Sequence, residues 1–196
     1  MNAPRDLLIQ RDRFALVLVD MQERLAAVMD RREDVVANAT RLIGMAGLVE
    51  APIIVTRQYP KGLGDTVSEL DAALAALPAK GAAVLRVDKT AFCCCAEPDF
   101  QAAMKAVGRE QFVLAGMETH ICVAQTALSL YGDGYSVHVA ADACCSRSAD
   151  NHDLALARMR AAGVIVSGTE SVAYEAVGRA GTDEFRQLLD MAKQES

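Results

Sequence analysis

The chain has 196 residues, 52% hydrophobic and 23% charged, a balance that marks a folded globular protein and excludes a disordered one. Its net charge of −6 argues against a nucleic-acid partner, because phosphate binding needs clustered Lys and Arg, and no predicted helix carries a basic stripe. The length suits one domain, residues 1–196 with a core of about 14–189, able to fold without disulfides or a structural metal.

Apolar runs alternate with amphipathic stretches from end to end. Met1–Asp12 is polar and lacks the apolar centre of a signal peptide. The first strand is predicted at Phe14–Val19 (FALVLV), followed by a helix over Asp34–Leu48, where Val35, Ala39, Leu42, Ile43 and Ala46 recur at helical spacing. Pro52–Thr56 reads as the second strand, and Arg57–Ser68, with Pro60, Gly62 and Gly64, as an irregular functional loop. Strand Ala82–Val87, helix Pro98–Val107, strand Gln111–Ala115, helix Ile121–Tyr131, strand Tyr135–Ala140, helix Asp150–Ala162, strand Gly163–Val166 and helix Thr182–Lys193 follow. Gly108 and Gly163 stand where helix C-caps belong. Short strands apolar on both faces, alternating with helices, imply a three-layer, doubly wound α/β fold whose mostly parallel, six-stranded sheet is covered by helices on both faces. No run approaches the ~18 apolar residues of a membrane span, so no membrane partner and a cytoplasmic location are expected.

The six cysteines, at 93, 94, 95, 122, 144 and 145, contain no CxxC pair. Adjacent cysteines do not make a regular disulfide framework or a zinc site, so most are expected to be small buried apolar residues. Cys122 is the exception. In open parallel sheets ligands bind beyond the carboxyl ends of the strands, and three reactive side chains arrive there. The first strand ends in Asp20, the third in Asp88-Lys89, and the fourth leads through Gly116-Met117-Glu118-Thr119-His120 to Cys122. Alone, Asp20 is a helix cap, Lys89 a solvated lysine and Cys122 a packing residue. Together they offer a base, a cation and a nucleophile, with the thiolate stabilised by the helix start and the ammonium.

Four blocks carry a resemblance to a known family: Leu18-Val19-Asp20-Met21-Gln22, Asp88-Lys89-Thr90-Ala91-Phe92, Gly116-Met117-Glu118-Thr119-His120-Ile121-Cys122-Val123 and Asp142-Ala143-Cys144-Cys145-Ser146-Arg147. In order and spacing the chain resembles the isochorismatase-like cysteine hydrolases from Phe14 to Leu189. Val55–Gly64 looks like the isochorismatase-domain branch in particular. The resemblance implies a triad of Cys122 as nucleophile, Asp20 as base and Lys89 holding both charges. It also implies a cis Met117–Glu118 peptide and an oxyanion hole from the backbone N–H groups of Glu118 and Cys122. Gln22, Tyr59, Phe92, Thr119 and His120 match positions near the family pocket. True isochorismatases, which cleave a vinyl ether, carry glycine where this chain has Cys122, so an amide or related C–N bond and a thioester intermediate are favoured. Nicotinamidases hold a metal with an Asp and two His. Here the corresponding loop is Arg57-Gln58-Tyr59-Pro60 and the histidines are 120, 138 and 152, so no metal and no cofactor are expected. The remaining expectations are a small-molecule substrate and a homo-oligomer, dimer or larger. The apolar Ala124, Ala127, Leu128 and Leu130 after Cys122 support the oligomer. Vinyl-ether hydrolysis and a non-catalytic or thiol-sensing protein on the same fold are the alternatives. The Cys93-Cys94-Cys95 run has no family role and is read as packing; Cys144 and Cys145 follow a strand end with no acid–amine pair.

Overall fold

Strands form where the apolar runs lie. Phe14–Val19 is β1, and all six of its residues are buried, as a strand covered on both faces requires. The others are β2 (Ile53–Gln58), β3 (Val84–Lys89), β4 (Gln111–Met117), β5 (Ser136–Cys145) and β6 (Ile165–Ser167). They pair in parallel in the order β3-β2-β1-β4-β5-β6. Strand order therefore reverses between β1 and β4, and the carboxyl ends of those two strands flank the expected ligand crevice. The structure, a computed structural model, describes residues 7–77 and 81–193, the last two by backbone alone. Half of the polar Met1–Asp12 stretch thus lies outside the described residues.

Nine helices are described: α1 (Glu23–Ala26), α2 (Arg32–Leu48), α3 (Pro60–Leu63), α4 (Ser68–Ala75), α5 (Pro98–Val107), α6 (Ala124–Gly132), α7 (Ala149–Ala162), α8 (Thr169–Val177) and α9 (Asp183–Lys193). Alternation along β1 divides the core. Leu16 and Leu18 pack toward Leu42 and Ile43 of α2, on the face shared with α4, α8 and α9. Ala15, Val17 and Val19 pack toward Ala127 and Leu130 of α6, on the face shared with α5 and α7. Truncating a buried leucine here, such as Leu42→Ala, should cost about 2–5 kcal/mol, the usual loss for a core cavity. Among the described residues no helix is long and apolar enough to cross a membrane.

The structure departs from the sequence reading in four places. Strands β2 and β3 continue to Gln58 and Lys89, and β5 runs to Cys145, past its expected end at Ala140. A register shift between Leu114 and Gly116 lets β5 continue, and Cys144 and Cys145 pair beside Gly116 and Met117 instead of standing in a loop. Helices α4 and α8 were not anticipated, nor were the single-turn α1 and α3. The buried Val172, Ala173, Ala176 and Val177 of α8 nevertheless recur at helical spacing. The expected Ile121–Tyr131 helix is instead a π-helical turn, Thr119–Val123, running straight into α6. Finally, Ala124, Ala127 and Leu130 are core residues and Leu128 is partly buried against them. The apolar surplus expected on α6 is spent inside the subunit and carries no argument for assembly.

Candidate active site

Backbone geometry first brings Asp20 into position. It leaves β1 in the left-handed region, with φ +53, a conformation Asp tolerates but that is costly enough to concentrate at functional sites. Gly116 makes room for it. Registered beside Val19 with φ +140, it has no space for a side chain, since a Cβ would collide with the Val19 backbone. The end of β4 can thereby close onto the end of β1.

The three reactive residues meet. Asp20 and Lys89 form an ion pair, Nζ to Oδ2 at 2.7 Å, with both side chains fully buried. Lys89 also donates to Gln58 Oε1 at 2.6 Å and to the carbonyls of Ala91 and Phe92 at 3.1 and 3.3 Å. Those bonds satisfy an ammonium that has left water, without which its burial would be prohibitive. Asp20 Oδ1 accepts from the Thr56 hydroxyl at 2.7 Å. Oδ2 faces the ammonium but accepts no well-aligned hydrogen bond, which leaves it a lone pair for a thiol proton. Cys122, 5% exposed, interacts with both Asp20 and Lys89.

Electrostatics alters one expectation. A helix start and a cation predict a ready thiolate, yet the Cys122 thiol is pushed strongly upward. Burial is the main cause and the Asp20 charge the next, with Lys89 opposing them. Lys89 itself is lowered most by burial, but Asp20, Cys94 and Cys122 together raise it further, so its net shift is upward. The resting arrangement is therefore a thiol beside an ammonium–carboxylate pair.

The other expected residues divide. Gln22 is fully buried and braces the neighbouring loop: its amide donates to Gln58 O and Gly64 O and accepts from Gln58 N. Tyr59 and Phe92, 55% and 56% exposed, flank the loops that hold Lys89. Thr119 is buried against His152, Oγ1 to Nδ1 at 2.9 Å. His120 meets Ser146 Oγ at 2.9 Å. The Met117–Glu118 peptide is cis, and the Glu118 carboxylate accepts from Arg147 N and Nε. Two clefts elsewhere on the molecule, one between α2, α4 and α9 and one between α2 and α8, share no residue with the triad. Sequence reasoning missed Thr56, Gln58 and Cys94. The first two were detectable as polar residues two apart, hence on one face, at the end of an apolar strand. Cys94, whose sulfur reaches Thr56 Oγ1 at 3.9 Å, gave no local signal; burial raises its pKa to about 11.

Residues 14–171 match the model of the isochorismatase domain. The chain belongs to the isochorismatase family. It is 37% identical over 175 residues to isochorismatase domain-containing protein 1 of Danio rerio, a match covering 89% of this chain and 59% of that protein, so the chain spans less than two thirds of that relative. Among solved structures it resembles the MAR1 ribonuclease of Caenorhabditis elegans, 33% identical, with a TM-score of 0.85 over 94% of this chain and 91% of that one. It also resembles YcaC from Pseudomonas aeruginosa, solved with hexane-2,5-diol and covalent acrylamide, 26% identical, with a TM-score of 0.83 over 96% and 95% of the two chains.

Proposed function

We propose that the protein is a metal-independent cysteine hydrolase of a small amide or related C–N bond. The observation that carries this reading is the buried Asp20–Lys89 pair with a thiol against both partners. As the Cys122 sulfur attacks the carbonyl carbon, its proton passes to Asp20. The carbonyl oxygen becomes an oxyanion facing the N–H groups of Glu118 and Cys122. Collapse breaks the C–N bond, and the departing amine takes the proton from Asp20, leaving a thioester on Cys122. Water then gives a proton to Asp20 and its oxygen to the acyl carbon, and the thiol is regenerated as the acid leaves. Lys89 remains an ammonium throughout and keeps the carboxylate charge balanced.

Tyr59 and Phe92 stand exposed beside the loops holding Lys89, which suits a small, largely apolar acyl group at the entrance. Thr119 and His120 line the turn that carries the nucleophile. Among the described residues no group of three or more His, Cys, Asp or Glu could hold a metal ion. The covalent acrylamide on the Pseudomonas relative is an adduct of an electrophile that thiols attack, consistent with a reactive cysteine on this fold. The ribonuclease name of the nematode relative stays with that protein, because a chain of net charge −6 is a poor match for a polyanion. Vinyl-ether hydrolysis is disfavoured because it has no use for a thiol. The exposed aromatic rings also fit burial in a homodimer or larger assembly in the cytoplasm. Light scattering at micromolar protein tests assembly, and a clean monomer mass would reject it. The activity is tested by ammonia release from a panel of small carboxamides. Hydrolysis that disappears in Cys122→Ala supports the proposal; wild-type turnover in that variant refutes it.

A further inference from the structure

Outside the triad, the densest set of reactive groups is Cys93-Cys94-Cys95. Structure separates the three. Cys94 is fully buried, with its sulfur toward Thr56 and its N–H on Thr126 Oγ1 at 3.0 Å. Cys93 and Cys95 are only partly buried. Cys94 opens a single 3-10 turn, Cys94–Ala96. A helical residue at 94 sets the Cα atoms of 93 and 95 ~5.5 Å apart, inside the ~4.4–6.8 Å span of a disulfide. Their side chains lie close enough to interact, with Ser129 beside both. Cys93 also donates to Gln125 O at 3.6 Å.

We infer that Cys93 and Cys95 form a peroxide-reactive dithiol site, with Cys93 as the attacking sulfur and Cys95 as the resolving one. Interaction with Cys95 also holds the pKa of Cys93 below that of an ordinary thiol, which favours the nucleophilic thiolate once its proton leaves the Gln125 carbonyl. Cys93 sulfur attacks the terminal oxygen of a hydroperoxide. The O–O bond breaks, leaving a sulfenic acid on Cys93 and an alcohol. Cys95 then attacks the Cys93 sulfur; an S–S bond forms as the S–O bond breaks, and hydroxide leaves with the remaining proton as water. Two thiols and one hydroperoxide give one disulfide, one alcohol and one water, with two electrons passing from sulfur to oxygen.

The site lies next to the catalytic loop. Phe92 O and Ala91 O hold the Lys89 ammonium, and Phe92 is covalently joined to Cys93. Closing the ring draws Cys93 toward Cys95 and disturbs that cradle, so oxidation should slow the Lys89-dependent reaction reversibly. The dithiol chemistry goes beyond the hydrolase reading and does not depend on it.

The test treats the full chain with stoichiometric tert-butyl hydroperoxide, alkylates free thiols and digests with trypsin. One peptide, Thr90–Lys105, holds all three cysteines. It should lose two hydrogens, take up a single alkyl group on Cys94, and show a Cys93–Cys95 link on fragmentation, reversed by dithiothreitol. Cys95→Ser should stop at a dimedone-trappable sulfenic acid on Cys93, and Cys93→Ser should show neither product. A link that includes Cys94, or oxidation at Cys122 with this peptide untouched, would overturn the inference. The wild-type fragment pattern decides this even if a variant folds poorly, and it is read by mass without any hydrolase substrate.

Discussion

Replacing Lys89 by Met keeps most of the stem and removes the ammonium. That ammonium lies 2.7 Å from Asp20 Oδ2, with neither side chain exposed. At an effective dielectric of ~20, unit charges at that distance attract by about 6 kcal/mol, much of which offsets the desolvation of both ions. The substitution deletes the attraction but leaves Asp20 buried, with Thr56 as its remaining side-chain donor. Breaking a buried pair in this way costs about 3–5 kcal/mol, a large part of a typical domain's stability. Urea unfolding should show that loss for Lys89→Met, while Asp20→Asn/Lys89→Met, which leaves no unpaired charge, should recover more than half of it. The pH arm has a definite sign. Burial is the largest single influence and lowers the Lys89 pKa, but Asp20, Cys94 and Cys122 together outweigh it, so the folded value lies above the ordinary one. Its contribution is complete below ~10.4, where an unfolded lysine titrates, and is lost as pH rises through the folded value. The stability gap between wild type and Lys89→Met should therefore be flat near neutrality and narrow in alkali. A single variant within about 1 kcal/mol of wild type, the level of an exposed pair, would refute this account of the site.

Alkylation of Cys122 should need higher pH in Lys89→Met than in wild type, because Lys89 is the group opposing burial and Asp20; superimposable rate–pH curves would remove Lys89 from control of the thiol. Gln58→Ala should lower kcat about tenfold or more, as one misplaced charge-assisted hydrogen bond of ~1.5–3 kcal/mol would, with KM little changed; equal effects on both would mean that Gln58 binds substrate. Gly116→Ala should cost at least about 3 kcal/mol in thermal or urea unfolding, since both its φ and the Val19 backbone exclude a side chain. Turnover on an amide substrate should survive exhaustive chelation, and loss with recovery by one specific metal would count against the triad mechanism.

The sequence by itself determined the frame. Apolar runs such as Phe14–Val19 report strands buried on both faces because no polar residue interrupts them, and the alternation with helices then leaves a parallel three-layer sheet as the economical arrangement. The same logic put Asp20, Lys89 and Cys122 at strand ends on one edge, and the motif blocks around them carried the family resemblance. Element ends were less legible. Strand β5 crosses the polar Asp142 to reach Cys145, which hydropathy alone cannot extend, since the register shift opposite Leu114 and Gly116 is a property of two strands and not of one.

Only the tertiary structure decided the charge state of the site and the roles of the neighbouring cysteines. A helix start and a lysine at another strand end predict a stabilised thiolate. Burial and the Asp20 carboxylate, contributed by a strand distant in sequence, reverse that balance. Three adjacent cysteines look alike in one dimension. In the fold, one 3-10 turn sends Cys94 into the core beside Thr56 and leaves Cys93 and Cys95 partly exposed and close enough to interact. Side-chain direction and desolvation depend on what packs against a segment, so they are fixed only when the sheet and its helices close around it.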